Sequence, residues 1–255
     1  MSHGVRLARQ RRERRNLCVR RRAAPPPSSL KDLLIIGAGG MGRALARMCS
    51  QATDEAGARR WQVQGFIDED RELHGTRVDG LPVLGGLEAV ERYPGADLVI
   101  SICHVAHQGA RRRIAQALGL PSHRYPTIVH RTAIIDPSCA MGHGTVLMPM
   151  VCVLPGVTIG NYVIVRPQSM MAADVVVQDY GTVAAQVFLG RCAVVEEGAY
   201  VGAGAKVREY ASVGPGSVVG MGSLVLDHVP GGEIWAGNPL RRLAPGSRLT
   251  DRGPT

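Results

Sequence analysis

Aromatic residues are scarce in this 255-residue chain, at 4%, which excludes a core built on layers of Phe, Tyr and Trp and leaves packing to small and aliphatic side chains. No apolar run approaches the ~18 residues a membrane-spanning helix needs, and the first 30 residues lack the apolar stretch of a secretory signal. A cytoplasmic setting is therefore expected. The six cysteines form no CxxC pair and are scattered through a chain too large to need staples, so they read as reduced thiols. Acidic residues are almost missing from positions 1–29, where nine Arg face only Glu13. That stretch holds +8 of the formal +9 and leaves 21 basic against 20 acidic residues over 30–255, so nucleic acid is not expected as a partner of the folded part. A tail ending in Pro25-Pro26-Pro27-Ser28-Ser29 cannot bury enough apolar surface to fold and reads as disordered; an arm attracted to RNA or lipid and an organellar transit peptide are the lesser alternatives.

Glycine is plentiful instead, at 32 residues. After the prolines, Leu33-Leu34-Ile35-Ile36 reads as a short buried strand running into Gly37-Ala38-Gly39-Gly40-Met41-Gly42 and a helical Arg43–Gln51 stretch. This is GxGxxG in the strand–turn–helix setting where backbone N–H groups at a helix start can face a phosphate. A second strand, Val63–Ile67, ends in Asp68-Glu69-Asp70, acids placed where a ribose would lie. A third, Asp97–Ile102, precedes a helical Gln108–Leu118 segment. The alternation indicates a small parallel βαβ domain of half-Rossmann size, better suited to one nucleotide than to NAD. Cys103-His104-x-x-His107 lacks further ligands at matched spacing and reads as a loop, so no metal is expected.

From Ile135 to Val225, every sixth residue is Val, Ile, Leu or Met, and four places after each sits a small or β-branched residue, from Cys139 to Val229. Each hexad thus offers one large and one small inward position. A period of six fits neither a helix nor a coiled coil, and glycine this frequent would destabilise a helix by ~1 kcal/mol apiece. The pattern is that of a hexapeptide-repeat parallel β-helix, with Gly142, Gly160, Gly202, Gly214 and Gly220 at corners.

At this point the chain resembles the NeuD/PglD-type sugar O- and N-acyltransferases over about residues 31–243. The resemblance rests on Ile35-Ile36-Gly37-Ala38-Gly39-Gly40, on Gly65-Phe66-Ile67-Asp68-Glu69, on Tyr125-Pro126-Thr127-Ile128-Val129-His130, on the hexads, and on Ala236-Gly237-Asn238-Pro239. It implies a half-Rossmann βαβ domain over 30–128, a left-handed β-helix over 129–232, and a C-terminal tail over 233–255 that packs on the β-helix before becoming disordered. It also implies a homotrimer with clefts between prisms, acyl-CoA (acetyl-CoA foremost) as co-substrate, and direct transfer to a sugar amine or hydroxyl. Gly37, Gly39, Gly40, Met41, Gly42, Asp68 and Glu69 would hold a nucleotide-linked sugar; Ala203, Gly204, Gly222, Gly237, Asn238 and Pro239 would hold the cofactor.

Family chemistry uses a His as general base, worth ~10²–10⁴ in rate, and a backbone N–H as oxyanion donor, worth ~10²–10³. Read by hexad phase, the His position is Ala173, followed by Asp174, and the glycine one coil on is Arg191. Asp174 is the remaining catalytic candidate in the chain itself. His143 falls on another prism face, His228 lies near the far end, and His130 precedes the helix. Two functions of different class follow: an acyltransferase with an unusual base, or a degenerate relative that binds nucleotide-sugar or CoA without turnover. An NAD-linked oxidoreductase would lean on GxGxxG alone.

Overall fold

The computed structural model describes residues 30–52 and 59–244; the expectations for the arginine-rich tail, for Cys18 and for the last eleven residues fall outside them. The first strand is β1 (Lys31–Ile36), followed by α1 (Gly40–Ser50) and β2 (Trp61–Ile67). A hairpin of β3 (Arg77–Val78) and β4 (Leu81–Pro82), a 3₁₀ helix (Leu87–Arg92), β5 (Asp97–Ile100) and α2 (Ala110–Leu118) complete the front part. The parallel sheet has the order β2-β1-β5. Leu33, Leu34, Ile35, Leu98 and Val99 are all fully buried, because helices or prism cover both faces of this sheet and no solvent side exists to demand alternation.

From Ile128 onward the chain winds as a left-handed β-helix of two-residue strands. Strands pair in parallel with partners eighteen residues on, as in Cys152↔Met170 and Val153↔Met171, so three hexads make one coil. The first face runs from Ile128–Val129 to Ile234–Ala236 and ends on antiparallel Arg241–Arg242; the second runs from Ile134–Ile135 to Leu224–Val225; the third runs from Ala140–Met141 to Ser212–Val213. Both inward positions of the hexads form one core, from Leu147 and Val151 to Val225 and Val229. Inside a stacked coil each buried side chain meets its equivalent above and below, which is why sequence period translates directly into burial.

The front part sits on the first face. Ile128, Val146 and Ile164 share a cluster with Leu33, Ile35 and Val99, while Tyr125, Tyr162 and Tyr180 join Leu34, Ile36 and Leu98. Arg111 of α2 bolts the two together. Its guanidinium donates to the carbonyls of Tyr162 (2.9 Å), Ile102 (2.6 Å), Gly181 (3.1 Å) and Tyr180, and to Thr182 Oγ1 (2.9 Å).

Candidate functional site

The glycine turn has the geometry its sequence requires. Gly37 has φ 101°, and a Cβ on Gly42 would lie 1.9 Å from the Gly37 carbonyl oxygen, so neither position tolerates a side chain. Ser101 Oγ, at the end of β5, donates to the carbonyls of Ile36 (2.8 Å) and Gly37 (3.1 Å) and ties the turn to the third strand; it was not singled out in the sequence, since only strand adjacency gives it a role. Gly39 caps α1 without a side-chain bond, and the first turn of α1 holds no acidic residue. Gly39 and Gly40 are exposed, with open space where a Cβ would be. The N–H groups at the start of α1 therefore face solvent, in a place suited to an anion.

Asp68 holds this turn together from the second strand. Its Oδ2 accepts the Ala38 N–H at 2.7 Å and its Oδ1 the Asp70 N–H at 3.0 Å. Each oxygen keeps a lone pair for a ligand hydroxyl. Glu69 accepts the Leu87 N–H at 3.2 Å.

Beside this mouth, His104 accepts the Ala106 N–H on its Nδ1 at 3.2 Å, capping a 3₁₀ turn (Val105–His107). Behind it, a hollow of about 20 Å³ lined by His104, His107, Arg111, Tyr180 and Tyr200 has room for about one water molecule. A larger hollow of about 430 Å³, lined by Leu87, Val90, Leu118 and Arg124, lies at the amino end of β5, away from the glycine turn. Arg166, which follows a first-face strand, opposes with its charge the upward pull of burial on the pKa values of Tyr200 and Cys103. Its signal in the sequence is a charge at a hexad position filled by Met148, Ala184, Gly202 and Gly220 in other coils.

The residues assigned to chemistry and to cofactor lie on two different edges of the prism. Ala173, Asp174 and Arg191 occupy the edge between the second and third faces. Ala203, Gly204 and Gly222 occupy the edge between the first and second, where Gly222 N–H donates to Ala203 O and Gly204 N–H to Ala185 O, both at 2.8 Å. Gly237 joins the latter group: its N–H donates to Ser223 Oγ at 3.0 Å, and Asn238-Pro239 follows as a cis peptide. Within the chain the two groups flank the second face rather than meet.

At the Ala173 edge, consecutive coils repeat one turn. Ala193 N–H bonds Gly190 O at 3.0 Å, Cys192 N–H bonds Ala173 O at 3.0 Å, and both Asp174 (φ 61°) and Cys192 (φ 57°) are left-handed. This is the pattern of a type II turn, in which Arg191 takes the second position, φ is not positive and glycine is not needed. Replacing glycine by arginine thus leaves the backbone N–H in place and adds a guanidinium. Arg191 Nε stands 3.8 Å from Asp174 Oδ2, with both side chains more than half exposed.

Of the three prism histidines, His143 and His130 lie on other edges, while His228 lies on this one, two coils beyond Arg191, between Val225 and the Val229 bridge to Val213. His143 packs edge-to-face on Tyr162 at 4.9 Å on the edge between the third and first faces, and burial pulls its pKa down against the opposing field of Asp179. His130 Nδ1 pairs with Thr132 Oγ1 at 2.8 Å, and His228 Nδ1 with Ser212 Oγ at 2.7 Å. Among the described residues, no group of three or more His, Cys, Asp or Glu could hold a metal ion, and no helix is long and apolar enough to cross a membrane.

Comparison with known proteins agrees with this architecture. Residues 32–118 match the PglD N-terminal domain family. The acetyltransferase domain of PglB from Neisseria gonorrhoeae FA1090, solved in complex with acetyl coenzyme A, is 26% identical at a TM-score of 0.71, covering 84% of this chain and 100% of that one. WeeI from Acinetobacter baumannii AYE (24% identity, TM-score 0.70, 84% and 100% covered) has the same fold. So does a single-residue mutant of perosamine N-acetyltransferase from Caulobacter crescentus, in complex with CoA and GDP-perosamine (22%, 0.60, 85% and 98%). No curated protein matches the chain in sequence. Residues 32–118 thus form a PglD N-terminal domain seated on the first face of a hexapeptide-built left-handed β-helix, and the chain as a whole is similar to the NeuD/PglD-type sugar acyltransferases.

Proposed function

We propose that this protein transfers an acyl group, acetyl foremost, from acyl-CoA to the amine or hydroxyl of a nucleotide-linked sugar. The observation that carries the reading is the pairing of two open donor sites on one scaffold. The solvent-facing N–H groups of the Gly39–Gly42 turn can take a phosphate, and the turn at Arg191 presents a backbone N–H at a corner next to an uncovered face. The neighbours solved with acetyl coenzyme A or with CoA and a nucleotide sugar support the same pairing.

A homotrimer belongs to this proposal. Ile134, Met170 and Phe188 are exposed on the second face, and Met150, Met221, Tyr210 and Leu226 on its two edges, an apolar surface the front part does not cover. Packing this face on a neighbour would bring the Ala203–Gly204–Gly222–Gly237 edge of one protomer to the Ala173–Arg191 edge of the next and form a cleft for the thioester. A cytoplasmic setting goes with the five unpaired cysteines among the described residues.

The test is release of CoA thiol from acetyl-CoA across a panel of amino- and hydroxy-sugar nucleotides. Release that depends on one acceptor supports transfer; no release with any acceptor overturns it. The second reading, binding without turnover, is motivated by the methyl of Ala173 where the family resemblance places an imidazole. Acceptor-dependent release at ordinary enzyme rates would end it.

A further inference from the structure

Resting on that reading, we infer that the Arg191 guanidinium, rather than any side-chain base, is the working group at the thioester corner, and that the acceptor is consequently an amine that arrives neutral. Three observations lead there. Ala173 offers only a methyl; His130 and His143 are engaged with Thr132 and Tyr162 on other edges, and His228, on this edge but two coils beyond Arg191 and so about 10 Å along the stack, is engaged with Ser212. Arg191 sits one coil from Ala173, on a turn whose own N–H stays free, so its side chain and that N–H originate at one point of the corner. The Asp174–Arg191 approach of 3.8 Å is too long for a charge-assisted hydrogen bond, which closes at about 2.7–2.9 Å. Asp174 therefore biases the guanidinium toward the Ala173 coil without saturating its five donors.

A planar, permanently charged fork of this kind is suited to an oxygen that gains negative charge and useless for removing a proton. In the step it serves, the lone pair of the acceptor amine attacks the thioester carbonyl carbon, and the C=O π pair moves onto oxygen, facing the guanidinium and the Arg191 N–H. Collapse re-forms C=O and breaks C–S, whose pair leaves on the CoA sulfur. The proton shed by nitrogen passes through water to that thiolate and gives free CoA. A hydroxyl acceptor would have to lose its proton before or during attack, and the nearest carboxylate at this corner, Asp174, leans toward the Arg191 guanidinium instead. A protonated amine would be repelled by the same cation. The acceptor class is therefore an amino sugar whose ammonium pKa is low, about 8 as for an α-amino group.

Two measurements test this separately from transfer itself. The first is isotope-edited infrared spectroscopy of acetyl-CoA labelled with ¹³C at the carbonyl, bound to the full chain without acceptor. The C=O band should move to lower frequency on the wild type, and Arg191→Gly, which keeps the N–H and removes the guanidinium, should lose most of that shift. The second is the pH profile of kcat/KM with amino-sugar nucleotides. It should rise tenfold per pH unit to the acceptor's own pKa, follow that pKa when the acceptor is changed, and show no enzyme break near 6.5. Arg191→Gly and Arg191→Gln should lower kcat about 10²-fold with acetyl-CoA binding changed less than threefold, and Ala173→His should add a break near pH 6.5. An unshifted band on the wild type, an equal shift in Arg191→Gly, or an acceptor-independent break between pH 6 and 7 would overturn the inference even if transfer occurs. An Arg191-dependent shift without transfer to any amine would uphold the role of Arg191 and end the acyltransfer reading, and failure to bind acetyl-CoA would end both.

Discussion

Replacing Arg111 by Met tests the claim that one buried guanidinium couples the front domain to the prism. Arg111 is 7% exposed and has no carboxylate among its hydrogen-bond partners. Burial lowers its pKa from 12.5 to about 10, a desolvation cost of roughly 3 kcal/mol that is fully present at neutral pH. On the other side stand four carbonyls and a hydroxyl. Gly181 O also accepts the Ile164 N–H, so Arg111→Met orphans chiefly the carbonyls of Ile102, Tyr162 and Tyr180. At about 1–3 kcal/mol per orphaned buried acceptor the loss is about 3–9 kcal/mol. Met fills much of the volume and removes the desolvation cost, so the net destabilisation is about 0–6 kcal/mol, about 3 kcal/mol at the middle of that range.

The two tryptophans report on the two sides of the joint, Trp61 buried beside Asp97 in the front sheet and Trp235 on the last coil. In denaturant titrations of single-tryptophan versions, Arg111→Met should move the Trp61 transition to lower denaturant by the larger amount and separate it from the Trp235 transition. Coincident midpoints within about 0.5 kcal/mol of the parent would refute the reasoning. They would mean that desolvating the guanidinium outweighs its bonds, as happens for some buried charges.

Three further outcomes are expected. Because burial lowers the His143 pKa in the folded state, the unfolded chain binds more protons as pH falls through the ordinary value of about 6.5, so stability should drop on acidification below it. His143→Gln should flatten that drop only in part, since His130 shifts the same way; an unchanged slope in denaturant melts from pH 7 to 5 would sink the argument. Phe188→Glu places a charge on the uncovered second face, where the side chain is 37% exposed and outside the core. The folded monomer should keep its far-UV spectrum while sedimentation shows trimer lost to monomer, and a trimer surviving the change would locate the interface elsewhere. Gly42→Ala forces a methyl against the Gly37 carbonyl and should abolish nucleotide-sugar binding by calorimetry while leaving acetyl-CoA binding intact; unaltered nucleotide-sugar affinity would remove the turn from the site.

The βαβ order, the hexad register and the glycine turn were legible in the sequence, though edges moved: α1 begins at Gly40 rather than Arg43, because the turn glycines themselves enter the first helical turn. The strand before it starts at Lys31, two residues before its apolar run, because pairing with β2 continues past the buried segment. The β3–β4 hairpin and the 3₁₀ helix at Leu87–Arg92 carry no periodicity and were not anticipated.

What the sequence determined by itself is whatever a local period or a local steric demand encodes. A repeat of six places Val183 and Leu189 inside a coil, and a turn with no room for a Cβ names its glycines. Tertiary structure decided the rest, because it depends on groups that meet across dozens of residues. Arg111 finds Tyr180 and Gly181 about seventy residues away, Asp68 closes a turn thirty residues upstream, and Arg191 reaches back one coil to Asp174. Side-chain identity along the chain fixes each group's chemistry, and only the winding of the coils fixes which groups share a corner.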